Sequence, residues 1–246
     1  MTMPRCAMAV MAKAPQPGRV KTRLVPPLTP DEASALNACF LRDITENISG
    51  VADVAGFVAY APSGMEALFD GLLASGTRLV LADGAIAGAP GVIGIGRSLL
   101  HATTSLLAQG FQAVCLVNAD SPTLPTEFLR AAVAALLAPG ERMVLGPAED
   151  GGYYLIGLRS ARAQLFADID WSTADVTAQT LARADEIGLE TFLLPYWYDI
   201  DDGSSLVRLL GAAPPEDDVE PFAAPATRAW LVSSGLAERL VSAPAT

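Results

Sequence analysis

The chain has 246 residues, of which 51% are hydrophobic and 17% are charged, and its formal net charge is −11. This composition excludes a largely disordered chain and suits a sheet that is covered by helices on both faces. With 27 acidic and 16 basic residues, most of the surface repels a polyanion, so we expect a small ligand rather than a nucleic acid. No apolar run approaches the roughly 18 residues of a membrane helix, so no membrane span is predicted.

Short β-branched or apolar runs alternate with amphipathic segments, which predicts β-α units and a mainly parallel sheet in an α/β protein. The clearest helix start is Thr29, which can form a capping box with Glu32, and Gly50 ends the same helix. The predicted strands cover residues 7–11, 56–60, 78–81, 113–118, 143–145, 153–157 and 191–194. The predicted helices cover residues 30–49, 64–74, 97–109, 126–137, 177–187 and 204–210.

The domain prediction is one α/β domain over residues 1–211 and a linker rich in proline and acidic residues over 212–227. A terminal helix follows within 228–246, and we expect it over residues 228–241. Its apolar residues, such as Trp230, would pack on the domain or on a second subunit of a homodimer.

The cysteines and the single histidine restrict the chemistry. Cys6, Cys39 and Cys115 have no metal-type spacing, which predicts free thiols in a reducing compartment and a cytoplasmic protein. His101 lies on the outer side of a predicted helix, and one histidine cannot form a multi-histidine zinc site. Nothing near it indicates a catalytic triad.

The only two lysines, Lys13 and Lys21, lie with Arg19 and Arg23 in one short segment directly after the first predicted strand. We call this segment, residues 13–23, the basic loop. In open α/β sheets, ligands bind outside the carboxyl ends of the strands. Because cations gathered in one place need an anion, the basic loop predicts a site for a phosphorylated small molecule.

We expect individual residues of the basic loop to have different roles. Gly18 would let the backbone approach a phosphate closely. We expect Lys21 to contribute more to ligand binding than to stability, since a loop ammonium among cations has little reason to be there without an anion. Arg23 has an alternative role as the partner of an acidic residue.

Acidic motifs follow three other predicted strands. Asn118 and Asp120 come at the end of an apolar strand, where a carboxylate can hold a divalent ion or can cap the next turn. Asp199 and Asp201 share one side of an extended segment, and they predict either Mg²⁺ or Mn²⁺ ligands or a cap for the helix near Ser204.

The third motif is Asp150-Gly151-Gly152, which also follows a strand. Its glycines allow close backbone approach, and exposed amides there would form a nest for an anion or a sugar. The alternative is a simple turn. Together, a cationic loop and three acidic strand-end motifs indicate metal-assisted chemistry on a nucleotide phosphate.

At these residues the chain resembles the nucleotide-diphospho-sugar transferase superfamily of GT-A fold, and within it the CofC-like glycosyltransferases, also called rSAM/selenodomain-associated transferases. The resemblance covers roughly residues 7–210 in order. It rests on MAKAP and PGRVKTRL in the basic loop, DSPTLP from Asp120, LGPAEDGGYYL around Asp150, WST from Trp171 and DID from Asp199.

The resemblance implies a three-layer, Rossmann-like fold with a central, mostly parallel mixed sheet. It also implies a nucleotide at the loop after the first strand and Mg²⁺ or Mn²⁺ held by Asp120, Asp199 and Asp201. The predicted catalytic residues are Lys21, Asp120 and Asp150. The predicted nucleotide-contacting residues are Lys13, Gly18, Arg19, Lys21, Arg23, Asn118, Gly151 and Gly152.

The resemblance extends to phospholactate guanylyltransferases, in which the Asp-Gly-Gly segment faces the acceptor phosphate. The chain departs from the usual pattern at residues 91–99, at Asn118 and at residues 202–205. Three hypotheses therefore stand. The first is a metal-dependent glycosyltransferase that uses a nucleotide-diphospho-sugar. The second is a nucleotidyltransferase that joins a nucleoside triphosphate to a phosphorylated small acid and releases pyrophosphate, and the third is a non-catalytic nucleotide-binding module.

Overall fold

The computed structural model describes residues 3–211 and 219–242, and a seven-stranded sheet forms its centre. The strands are β1 Cys6–Lys13, β2 Val54–Ala61, β3 Arg78–Leu81, β4 Ala113–Asn118, β5 Arg142–Pro147, β6 Tyr153–Leu158 and β7 Glu190–Leu193. The strand order is β3-β2-β1-β4-β6-β5-β7, and β6 pairs antiparallel with both neighbours while the other pairs are parallel. The predicted α/β fold with a mostly parallel mixed sheet is confirmed.

The helices of the described ranges are α1 Pro30–Ser49, α2 Gly94–Leu107, α3 Thr126–Leu137, α4 Val176–Glu186, α5 Gly203–Gly211, α6 Pro225–Ser233 and α7 Leu236–Ser242. Short 3-10 turns lie at Thr22–Leu24, Glu66–Phe69 and Ala163–Phe166. Within these ranges no helix has the length and apolarity that a bilayer crossing requires.

Alternation along β1 builds two cores, one on each face of the sheet. Met8 and Val10 pack with residues of α1 and α3, whereas Ala7 and Ala9 face the side covered by α2. Because successive side chains of a strand point to opposite faces, the unbroken apolar run over residues 6–12 of β1 needs helices on both sides. The result is a three-layer arrangement with all parallel strands ending at one edge.

The start of α1 follows the predicted pattern. The Thr29 hydroxyl accepts a hydrogen bond from the Glu32 N–H at 3.2 Å, and the Glu32 carboxylate accepts one from the Thr29 N–H at 2.8 Å. This capping box satisfies two N–H groups that the first helical turn leaves free. The helix then runs to Ser49, as predicted.

Two predicted helices differ from the structure. Residues 64–74 contain only the short turn Glu66–Phe69, because Gly64 and Gly71 adopt positive φ angles of 81° and 72° that an α-helix cannot include. The terminal helix is two helices, α6 and α7, separated at Gly235 with φ 62°. Both errors come from glycines that an apolar periodicity conceals.

The chain after residue 219 packs on α1. Asp43 of α1 is fully buried, and its carboxylate accepts hydrogen bonds from the N–H groups of Ala226 at 2.9 Å and Thr227 at 2.7 Å. A carboxylate is favourable at the start of α6 because the first N–H groups of a helix lack internal partners. Helix α6 begins at Pro225, within the segment that was predicted to be a linker. Residues 212–218 and 243–246 of the domain prediction lie outside the described residues. A dimer contact stays a prediction.

Candidate functional site

A cleft of about 670 Å³ opens at the carboxyl ends of β1 and β4. Its lining includes the basic-loop residues Lys13, Arg19, Lys21 and Arg23, together with Asp120, Asp201, Asn37 of α1, the first turn of α2, and Trp171. A volume of this order accommodates a ligand of nucleotide size. The cleft therefore lies where an open α/β sheet binds its ligands.

The segment before α5 lies directly against the end of β4. The N–H of Ile200 donates to the carbonyl of Asp120 at 2.8 Å, and the Ser121 hydroxyl donates to the carbonyl of Tyr198 at 3.0 Å. These bonds bring Asp201 beside Asp120, although 80 residues separate them in the sequence. Two of the three acidic motifs thus meet at the cleft.

Lys21 stands between these two aspartates. Its Nζ lies 2.6 Å from Asp120 Oδ1 and 2.8 Å from Asp201 Oδ1, and it donates to the carbonyl of Ile200 at 2.5 Å. The Lys21 side chain is only 4% exposed, and its Nζ is 5.5 Å from the centre of the Phe40 ring. Burial opposes the positive charge, but attraction to Asp120 and Asp201 outweighs it and raises the pKa of Lys21 above its usual value.

This geometry corrects one premise of the sequence analysis. Lys21 is not an ammonium that lacks an anion, because Asp120 and Asp201 both bind it. The reason for expecting Lys21 to contribute more to ligand binding than to stability is therefore wrong. We now expect a loss of stability when Lys21 is removed, since two carboxylates would be left without their common partner. A role for Lys21 toward a ligand stays a prediction.

Three other cations of the basic loop surround the cleft without an ion pair. Lys13, Arg19 and Arg23 are exposed, and within the described chain none of their side chains forms a hydrogen bond or a salt bridge. The alternative role of Arg23 as the partner of an acidic residue is therefore not realised. Gly18 has φ 72°, and nothing lies within 4 Å of a Cβ placed on it, so the backbone there is open to close approach. These groups remain available to an anionic ligand.

Asp199 lies next to the pair of carboxylates and carries a strongly shifted pKa. Burial raises the pKa of Asp199 to about 7, and the negative charges of Asp201, Asp150 and Asp120 act in the same direction. The four aspartates are thus close enough to repel one another, and one buried ammonium offsets only part of their charge. Asp202 instead caps α5, since its carboxylate accepts the Ser205 N–H at 2.9 Å.

Neutralising Asp199 should stabilise the metal-free protein at high pH. The folded-state pKa lies above the ordinary value, so the folded protein binds the extra proton and stability falls as pH rises from about 4 through about 7. We expect Asp199→Asn to raise the free energy of unfolding by about 1–2 kcal/mol at pH 8, since one pKa unit is worth about 1.4 kcal/mol and partial exposure weakens the interactions. Thermal melts in a chelating buffer from pH 4 to 9 measure this gain.

The gain should disappear near pH 4, where the Asp199 carboxyl of the folded wild type is protonated and therefore as neutral as the asparagine of the variant. Asp202→Asn is the matched control, because hydrogen bonds from the Ser205 backbone, Ser204 and Ser205 lower the pKa of Asp202 to about 2. That variant should not gain stability at any pH. An Asp199→Asn melting temperature equal to that of wild type at pH 8 would contradict the assigned effects of burial and repulsion on Asp199.

The Asp-Gly-Gly motif forms a closed turn rather than an open nest. The Gly151 N–H donates to the Ala148 carbonyl at 3.2 Å, and the Gly152 N–H donates to Asp150 Oδ1 at 2.8 Å. Both amides therefore already have acceptors, so the predicted amide nest is wrong at these positions. Asp150 is exposed, and neither it nor the two glycines line the cleft.

The predicted metal ligands are not preassembled. Among the residues that the structure describes, no three histidine, cysteine or carboxylate side chains are arranged to hold a metal ion. Asp120 and Asp201 bind Lys21 instead, and Asn118, which does not line the cleft, accepts the Asp120 N–H at 3.4 Å. The metal site stays a prediction.

Sequence reasoning did not identify two residues that line the cleft with unpaired polar atoms. Asn37 Oδ1 and Trp171 Nε1 are both buried without a hydrogen-bond partner in the described chain. The Trp171 ring packs on the first turn of α2, where a Cβ placed on Gly96 would lie 2.8 Å from it. The resemblance motif included Trp171 without giving it a role. Asn37 fell only within the predicted helix over residues 30–49, and a helix range does not reveal an unpaired amide.

Comparison with family models gives a match over residues 47–173, more than half of the chain, to the family described as "Uncharacterized protein conserved in bacteria (DUF2064)". The chain belongs to the DUF2064 family. The match includes Asp120, Asp150 and Trp171, whereas the basic loop and Asp201 lie outside it. A search of curated proteins found no match.

Among solved structures, the chain is similar to a protein of Desulfovibrio desulfuricans G20 described as a candidate nucleotide-diphospho-sugar transferase. That likeness has a TM-score of 0.78 and 26% identity, and it covers 97% of this chain and 98% of the other. A second likeness, with TM-score 0.52, 14% identity and 85% and 98% coverage, is to CMP:2-keto-3-deoxy-manno-octonic acid synthetase solved with CTP. This DUF2064 member therefore has the GT-A-like fold of the nucleotide-diphospho-sugar transferase superfamily, as the motifs predicted.

Proposed function

We propose that the protein is a nucleotide-dependent transferase, and specifically a glycosyltransferase that uses a nucleotide-diphospho-sugar. The observation that carries this proposal is the cleft itself, in which Lys13, Arg19 and Arg23 are unpaired beside the Lys21–Asp120–Asp201 cluster. Unpaired cations at the carboxyl edge of a parallel sheet suit a diphosphate. The similarity in fold over almost the full length of a nucleotide-diphospho-sugar transferase candidate supports the same reaction class.

The residues present fit Mg²⁺ or Mn²⁺. The side chains of Asp120 and Asp201 are 32% and 40% exposed, and their oxygens are the hard donors that these ions prefer. Burial, and after it the negative charges of Asp201, Asp150 and Asp120, raise the pKa of Asp199, and a divalent cation would offset those charges. Asp120, Asp199 and Asp201 would hold the ion, which would supply charge compensation for the diphosphate.

The remaining residues would bind and orient the substrates. Arg19 and Arg23 would each donate two hydrogen bonds to phosphate oxygens, and Lys13 would act as a point charge. Lys21 would hold the two aspartates in place and would reach the phosphate only through them. Asp150 would be the base that accepts the proton of the acceptor hydroxyl. It does not itself line the cleft, but its exposed carboxylate lies near Asp199.

Nucleotidyl transfer is the second candidate. Three unpaired cations suit a nucleoside triphosphate at least as well as a diphosphate. The two reactions differ in the group that leaves: a glycosyl transfer releases the nucleoside diphosphate, whereas a nucleotidyl transfer releases pyrophosphate. Assays of both products with a panel of nucleotide sugars, triphosphates and phosphorylated acids separate the candidates.

Calorimetry with nucleoside diphosphates and Mn²⁺ tests the site. We expect binding to the wild type and a loss of about 1.5–3 kcal/mol in Arg19→Ala, as is typical of a hydrogen bond to a charged group. Arg159→Ala is the matched control, because Arg159 follows β6 at the opposite edge of the sheet, where it donates to Gly140 at 3.0 Å. Absence of binding by every nucleotide would refute the proposal, and binding without any turnover would favour the non-catalytic module.

A further inference from the structure

Helix α1 carries two buried asparagines whose surroundings differ. Asn47 is 2% exposed and its amide is fully used, since Nδ2 donates to the Leu124 carbonyl at 2.7 Å and Oδ1 accepts from the Thr126 hydroxyl at 2.6 Å. Asn37 is 5% exposed, and its Oδ1 has no partner within the described chain. The fold thus satisfies one amide and leaves the other incomplete.

Asn37 also differs in position, because it lines the cleft and Asn47 does not. Asn37 lies one helical turn before Phe40, whose ring contacts the buried Lys21. A buried polar atom without a hydrogen bond is costly, so such atoms persist mainly where a water, an ion or a ligand completes them. Asn37 lines the cleft in which the proposed nucleotide would bind.

The missing partner is a hydrogen-bond donor, since Oδ1 is an acceptor. Diphosphate oxygens offer no donor at neutral pH, whereas a nucleotide sugar offers N–H groups on its base and O–H groups on its sugars. We infer that Asn37 is a specificity-determining residue that accepts a hydrogen bond from an N–H or O–H group of the nucleotide ligand. This inference rests on the proposed function, because it requires a nucleotide in the cleft.

Selectivity is the expected consequence. A site built to hydrogen-bond one group rejects a ligand that lacks it, because the protein atom is then left unpaired. Wild type should therefore distinguish ligand pairs that differ by a single donor group. Asn37→Leu keeps the branching of the side chain without its polar atoms, and it should lose that discrimination.

The experiment measures affinities of wild type, Asn37→Leu and Asn47→Leu by calorimetry. The ligand pairs differ in the base, in the 2′ or 3′ ribose hydroxyl, or in the presence of the donor sugar, and these arms identify the group that Asn37 binds. One of these pairs differs in the group that Asn37 binds. For that pair, wild type should bind the ligand that carries the group at least tenfold more tightly than the ligand that lacks it, and Asn37→Leu should bind both about equally. Asn37→Ala repeats the test if the leucine does not fit.

Thermal melts give an independent readout. Without ligand, Asn37→Leu should melt at or above the wild-type temperature because it removes an unpaired buried atom, whereas Asn47→Leu should melt lower and keep the wild-type discrimination. If Asn37→Leu retains every wild-type affinity ratio, or weakens all ligands uniformly, the inference is overturned while the proposed function stands. If wild type binds no nucleotide, both fail.

Discussion

Replacing Lys21 by methionine is expected to lower the free energy of unfolding by about 2–4 kcal/mol. The Lys21 side chain is 4% exposed and binds Asp120 and Asp201 together, so the variant leaves two carboxylates without their cation. Breaking a buried ion pair from one side typically costs about 3–5 kcal/mol, and partial exposure of the two aspartates reduces that figure. Urea unfolding monitored by circular dichroism measures the change.

Lys13→Met is the control for this result, because Lys13 is exposed and forms no ion pair within the described chain. That substitution should change the free energy of unfolding by less than about 0.5 kcal/mol. Adding Asp120→Asn to Lys21→Met should restore part of the lost stability, since it removes one of the two unpaired charges. Equal melting temperatures for the Lys21 and Lys13 variants would mean that the ion-pair cluster does not form in solution.

Local patterns in the sequence were sufficient for most of the fold. The capping box at Thr29 and Glu32, and the apolar runs of β1 and β4, depend on residues within a few positions of one another. Such local patterns can be recognised without knowledge of the tertiary structure. The prediction of a helix over residues 64–74 was wrong because the positive φ angles of its glycines depend on the surrounding loop.

The sequence predicted individual residues of the site but not the contacts between them. The basic loop and Asp120 were found from charge and strand ends, yet nothing local indicates that Lys21 pairs with Asp201, which lies 180 residues later. That contact depends on the segment before α5 crossing the end of β4. Asn37 illustrates the same limit, since the sequence predicts only that it lies in a helix, and the packing decides whether its amide finds a partner.

Gly151 is the second position where a small change should have a large effect. Gly151→Ala is expected to cost more than about 3 kcal/mol, because Gly151 has φ 91° and an added Cβ would lie 2.5 Å from the Cα of Ala174. The Gly151 carbonyl also accepts the Thr177 N–H at 2.9 Å, so a shift of the turn would break that contact near the start of α4. Chemical unfolding gives the size of the loss.

Gly152→Ala is a close control one residue away. Gly152 has no positive φ, and its added Cβ would meet only the Asp150 carboxylate, whose nearer oxygen at 3.1 Å belongs to a flexible side chain that can shift slightly. We expect a loss of under about 1 kcal/mol there. The two variants separate two explanations for the Asp-Gly-Gly motif. A ligand-contacting role predicts similar stability for both variants. Close packing against Ala174 predicts that only Gly151→Ala is strongly destabilised. The contact with Ala174 favours packing, which means that Gly151 holds this turn against the segment just before α4.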